Sequence, residues 1–194
     1  MEVLRPDMTK SEIEKELSKK GKYVQIDYLT RFLKQQSLNT DIKRFVFLKL
    51  AELYESVEMP IEAAKYYNRA AIISTSISDK INYFVREAEM YIKGSDFVKA
   101  DDAVKKAIGE APTNSKRQEI YNNIKDFYKN KAEFYEKNMK RGQAARIYEK
   151  LLEMKISAEE RDEFRRRLLH LYEKLGKIKE YSELKNTIEK RSVV

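Results

Sequence analysis

The sequence predicts an all-α fold, a right-handed α-α superhelix (solenoid) of about five helical hairpins spanning residues 1–194 as a single domain. Three observations carry that prediction. An anchor recurs at Leu17, Tyr54, Tyr91, Tyr135 and Tyr172, at intervals of 37, 37, 44 and 37 residues. Small or apolar residues stand at fixed offsets around each anchor. A helix breaker lies in every copy, between the anchor and the second small residue.

The first hairpin, approximately 9–38, is a faint copy: Leu17, then Gly21, then Ile26, Thr30 and Leu33. The second, 41–75, is strong. Phe47, Leu50, Ala51 and Tyr54 fall at i, i+3, i+4 and i+7, the spacing of a one-faced amphipathic helix. Met59-Pro60 breaks it, and Ala63, Tyr67 and Ala70 resume the period; Pro is tolerated in a helix's first turn. Small residues let two helix axes approach closely, and an aromatic ring fills the gap beside them.

The third hairpin, 79–111, repeats the pattern with Ala88, Tyr91, Ala100, Val104 and Ala107, broken at Gly94 and ended by Gly109 and Pro112. The fourth, 115–155, carries Ala132, Tyr135, Ala144, Tyr148 and Leu151 around Gly142. Its interval of 44 exceeds 37 by about two helical turns. The excess is assigned to a long first helix from Ser115 to Met139, free of Gly and Pro, opening after Thr113-Asn114. The fifth, 158–191, fades to Leu169, Tyr172, Gly176, Tyr181, Lys185 and Ile188. Atypical first and last copies suit the capping ends of a repeat array. At the breaks, glycine is expected to supply left-handed backbone.

Composition agrees and narrows the function classes. Gly and Pro number only 5 and 3, and 37% of residues are charged, as suits helices with short connections. Thirteen Tyr and eight Phe set the chain apart from disordered sequences. The absence of Cys excludes disulfides, cysteine metal sites and thiol catalysis. The first twenty residues have no apolar core of a secretory signal, and no apolar run approaches the roughly 18 residues of a membrane span. A cytoplasmic protein is the expectation.

Catalytic patterns are sparse. His170 is the only histidine, the glycines are solitary, and no phosphate loop or paired-histidine spacing occurs. The expectation is no enzyme activity, no metal and no cofactor. The net charge of +8 is uneven: residues 115–150 hold ten Lys and Arg against five Asp and Glu. Lys116, Arg117, Lys125, Lys129 and Lys131 make a basic patch interleaved with Tyr121, Phe127, Tyr128, Phe134 and Tyr135. That interleaving could serve RNA through stacking and phosphate contacts, although the aromatics also fall near helical core spacing.

The run Phe84, Ala88, Tyr91, Gly94, Ala100, Val104, Ala107, Pro112 resembles the tetratricopeptide repeat family. The resemblance is good over the central three hairpins. It departs in a period of 37 instead of 34, in lacking the family's Trp, and in keeping the terminal Pro once. It implies a groove lined by the first helix of each hairpin, where partner peptides bind. By that resemblance the lining includes Phe45, Leu48 and Glu52, then Val85, Glu89 and Ile92, then Lys129, then Arg166 and His170. Leu48 and Glu52 occupy places where chaperone-binding members carry a Lys-Asn carboxylate clamp, so such a clamp is not expected. The implied function is a protein–protein interaction scaffold or adaptor whose partner brings an apolar anchor and an acidic flank. The alternative is RNA binding through residues 115–150. Self-association through an uncapped end is a third expectation, and Ser192-Val193-Val194 matches a minimal carboxylate-capture pattern.

Overall fold

A computed structural model describes residues 4–35 and 38–191; the Ser192-Val193-Val194 pattern lies outside them. Among the described residues there are ten α-helices and no strand. They run α1 Lys10–Ser18, α2 Lys22–Phe32, α3 Thr40–Ser56, α4 Pro60–Ile73, α5 Ile77–Lys93, α6 Phe97–Glu110, α7 Asn114–Lys137, α8 Arg141–Glu153, α9 Ala158–Leu175 and α10 Ile178–Arg191.

Local chemistry explains where they start. Thr9 and Ser157 form capping boxes with Glu12 and Glu160. Asn39, Ser76 and Asp96 accept from the backbone N–H of Ile42, Asp79 and Lys99. Pro60 begins α4, where its missing N–H has no partner to lose. At 24 residues α7 is longer than α3 and α5 at 17 each, which absorbs the long repeat interval.

The chain divides into two compact units, Met1–Tyr121 and Asn122–Val194. In the N-terminal unit α3 packs on α4, α4 on α5 and α5 on α6, with α2 against α3. Ala51, Ala63, Ala70, Ala88, Ala100 and Ala107 are all fully buried, so axes meet where side chains are smallest. Tyr54 of α3 stacks on Tyr66 of α4 at 5.5 Å between ring centroids. In the C-terminal unit α8 packs on α9 and α9 on α10 around buried Tyr148, Phe164, Leu168 and Leu171.

The backbone corrects the expectation about glycine. Only Gly176 is itself left-handed, at φ 68°. Gly94 ends α5 in right-handed conformation, and the next residue, Ser95, takes the positive φ of 59°. Glu58 and Met139 do the same at 59° and 58°, with no glycine at those positions. Gly94 is favoured for space instead: a Cβ there would run into the Ile61 side chain, which would have to shift.

Those four left-handed residues form two pairs, Glu58 with Met139 and Ser95 with Gly176, each 81 residues apart. The same offset relates Ala51 to Ala132, Glu55 to Glu136, Ala63 to Ala144, Tyr67 to Tyr148, Arg86 to Arg167 and Tyr91 to Tyr172. Hairpins two and three are thus repeated, as a pair, by hairpins four and five.

Candidate functional site

The first helices of successive hairpins are tied together by the same three residue types in both units. In the N-terminal unit Arg86 of α5 donates to Glu55 of α3 at 2.7 Å, to the Tyr67 hydroxyl of α4 at 3.4 Å, and to Glu89 at 2.6 Å. Lys93 adds a second cation on Glu55. In the C-terminal unit Arg167 of α9 donates to Glu136 of α7 at 2.8 Å and to the Tyr148 hydroxyl of α8 at 3.4 Å. Tyr148 in turn donates to Glu136 at 2.8 Å. Burial, then the bond to Glu136, pushes the Tyr148 phenol well above its ordinary value, so it remains a neutral donor.

Each junction therefore joins a hairpin's first helix, its second helix and the first helix of the next hairpin. Small-residue crossings inside hairpins and first-helix-to-first-helix bridges between them decide the architecture. The fold is a divergent tetratricopeptide-like helical repeat.

No family model matches this sequence, and no curated protein does either. Among solved structures the chain is similar to the crystal structure of MamA, at 18% identity over 94% of this chain and 97% of that one, with a TM-score of 0.42. It is similar also to the crystal structure of BtubC (BKLC) from P. vanneervenii, at 16% identity over 94% of this chain and 76% of that one, with a TM-score of 0.41. Neither likeness bears on what this tetratricopeptide-like protein binds.

A partly exposed stripe of α3 runs through Phe45, Leu48, Glu52 and Glu55, spaced by three, four and three residues. On α5 it runs through Asn82, Val85 and Glu89. Phe45, Leu48 and Val85 are half-buried; Val85 packs against the core around Ile81, Phe84 and Ala107, so Phe45 and Leu48 are the apolar part of the stripe that stays partly uncovered. Glu52 is exposed and 3.6 Å from Lys49. Ile92 does not belong to this surface. It is 0% exposed, because α5 packs against α4 on one side and α6 on the other, and near its end no open stripe is left for Ile92.

In the C-terminal unit the matching positions are charged. Lys129 lies 3.9 Å from Glu163 and 5.9 Å over the Phe164 ring. Arg166 is exposed and donates to the Asp162 carbonyl at 3.2 Å. The His170 side chain is 63% exposed, with Nδ1 3.8 Å from Glu173.

The basic patch is largely spent on local partners. Lys116 pairs with Glu119 at 2.8 Å, and Arg117 donates to Asn114 at 3.2 Å. Lys125, with its side chain only 18% exposed, reaches Glu160 at 2.7 Å. That contact, then the backbone at Ser157, holds the Glu160 carboxyl below the usual range. Lys131 lies over the rings of Phe134 and Tyr135 at 4.7 and 4.6 Å. Of the interleaved aromatics Tyr128 and Tyr135 are core, while Phe134 is half exposed.

Among the described residues no group of three or more His, Cys, Asp or Glu could hold a metal ion, and no helix is long and apolar enough to cross a membrane. A shallow cleft of about 220 Å³ beside the α9/α10 turn, lined by Tyr172, Glu173, Gly176, Lys177, Ile178 and Tyr181, is smaller than the roughly 300–1,000 Å³ of a usual small-molecule site. Arg86 and Arg167 are the residues that the sequence reading missed. Their signal was available, since both keep the same offsets from a Glu and a Tyr across the 81-residue repeat.

Proposed function

We propose that this protein is an interaction scaffold whose first-helix surfaces bind segments of partner proteins. The observation that supports it is the partly uncovered apolar surface of Phe45 and Leu48 on α3, a first helix whose Glu55 is held by Arg86 of the next. A helix held in this way presents a preorganised surface, and little ordering entropy is lost when a partner lands on it. This surface takes the apolar anchor of a partner segment. The matching surface of the C-terminal unit, with Arg166 and His170 exposed, takes acidic side chains.

The test is the double variant Phe45→Gln with Leu48→Gln, compared with the unaltered chain in affinity capture followed by mass spectrometry and in thermal unfolding. The expected result is loss of the captured partners at an unchanged Tm. A large fall in Tm would show instead that both residues are core, and capture unchanged at full stability would place binding elsewhere.

A further inference from the structure

The 81-residue duplication keeps the Glu–Tyr–Arg junction but rewrites one edge of the repeat. Along α7 and α9 the pairs Lys125–Glu160, Lys129–Glu163 and Glu136–Arg167 advance in the same direction. The two helices are therefore parallel, and their ends bring the α7/α8 and α9/α10 turns to one edge of the C-terminal unit. Among the described residues, the exposed large apolar side chains of this unit are Phe134, Met139, Leu175 and Ile178, at 50, 63, 37 and 78%. All four sit at those two turns. Single exposed apolar residues are ordinary, but four gathered at one edge are not.

Cations surround them. The first turn holds Lys137, Lys140 and Arg141, and the carboxylate just before it, Glu136, is engaged by Arg167 and Tyr148. The second holds Lys174, Lys177 and Lys179 against Glu173 and Glu180, and Lys177 is already 3.6 Å from Glu180. Lys137, Lys140, Lys174 and Lys179 are exposed. In the earlier copy the same places read differently. Ser56 stands for Lys137, Glu58 for Met139, Met59 for Lys140, Asp96 for Lys177 and Val98 for Lys179. The later copy thus places lysines where the earlier one has Ser56, Met59, Asp96 and Val98, and a methionine where it has Glu58, at turns that keep their left-handed residue in the same place.

We propose that the α7/α8 and α9/α10 turns of the C-terminal unit form a contact for an anionic lipid bilayer. Apolar side chains on protruding turns inside a collar of lysines match the interface of such a bilayer: the apolar tips enter below the headgroups and the lysines meet the lipid charge. The lysines around the apolar tips fit an anionic surface, and the adjoining cleft of about 220 Å³ is small for seating a segment of a protein partner. This goes beyond the scaffold reading and does not depend on it.

The test is cosedimentation of the full chain with vesicles of phosphatidylcholine containing phosphatidylserine, and with vesicles of phosphatidylcholine alone. Binding is expected to the first and not the second. Met139→Glu with Ile178→Glu should weaken it by roughly tenfold per site, and Lys137→Ser with Lys140→Ser by roughly fivefold per lysine. Both glutamates are compatible with the fold, since Glu58 already holds the Met139 conformation at φ 59° and Ile178 opens a helix where a carboxylate is favoured. Unchanged Tm values verify this. Met59→Glu with Val98→Glu, at the N-terminal unit's turns, should leave binding as it was.

Three results would overturn the proposal. No binding to phosphatidylserine vesicles is the first. Binding that responds to salt but not to Met139→Glu with Ile178→Glu would be plain adsorption of a cationic protein. Equal, Met139-dependent binding to soluble polyglutamate would make the occupant an acidic protein.

Discussion

Arg86 and Glu55 meet at 2.7 Å across two hairpins, and 81 residues later Arg167 and Glu136 meet at 2.8 Å in the same way. A contact that recurs with both partners and their tyrosine is a structural rule of this repeat. The Arg86 and Arg167 side chains are 40% and 37% exposed, so water screens part of each interaction. Replacing either by Ala should cost about 1–2 kcal/mol. Arg167→Ala should cost more, since Glu55 keeps Lys93 whereas Glu136 is left with the Tyr148 hydroxyl. Lys should not rescue either site, because one ammonium cannot reproduce the guanidinium fork. Urea unfolding of the single and double variants with Glu55→Gln measures the coupling; strict additivity would show that the pair contributes nothing jointly.

The left-handed turns give a second prediction. Glu58 holds φ at 59°, which disfavours any residue with a Cβ by about 1–2 kcal/mol. Glycine removes that strain but raises unfolded-chain entropy, so Glu58→Gly should stabilise by about 0.5–1 kcal/mol. Gly176→Ala should destabilise by about 1–2 kcal/mol, since its φ of 68° is otherwise relaxed and a Cβ would meet nothing within 4 Å. Calorimetry of both variants reads opposite signs. A fall in Tm for Glu58→Gly would mean that its side chain, and not its backbone, decides the turn.

Much of this was legible in the sequence, for identifiable reasons. Buried alanines and tyrosines such as Ala63, Tyr67 and Ala107 follow from the 3.6-residue period, and the length of α7 follows from the interval of 44. What was not legible depends on partners distant in sequence. Counting charge by segment made residues 115–150 appear free to bind a polyanion, yet Lys125 and Lys129 face Glu160 and Glu163, about 35 residues onward. Ile92 sits at a groove position by spacing, but the crossing of α5 between α4 and α6 buries it. The glycines marked the turns correctly while misleading about their cause. At Gly94 the demand is room for Ile61, and the left-handed backbone falls to Ser95.

Acid should expose the Lys125–Glu160 link. The Glu160 carboxyl is held below its ordinary value of 4.5, first by Lys125 and then by the backbone at Ser157. A carboxyl depressed in the folded state contributes stability that is complete above pH 4.5 and is lost as pH falls through the folded value. Glu160→Gln should therefore lower stability at pH 7 and flatten the stability curve below pH 4.5. Urea midpoints measured from pH 7 to pH 3 give the comparison. Parallel curves for the two proteins would assign the acid dependence to other carboxylates.

The last prediction concerns the alanine crossing of the second and fourth hairpins. Ala63 is 0% exposed at the start of α4, and Ala51 is 0% exposed on α3, which packs against it. A leucine there adds three carbons where neither helix leaves a void, so the axes must separate or side chains must leave their rotamers. Ala63→Leu should cost about 1–3 kcal/mol. Ala144 is its counterpart 81 residues later and is also 0% exposed, so Ala144→Leu should behave alike. Ala158→Leu, on the exposed first turn of α9, is the control and should stay near neutral. Since the junction between hairpins rests on Tyr67 four residues after Ala63, a displaced α4 should also weaken the Arg86–Glu55 coupling. A double-mutant cycle for that pair in the Ala63→Leu background separates the two levels of packing: coupling retained despite lost stability would mean that hairpins dock through their first helices alone.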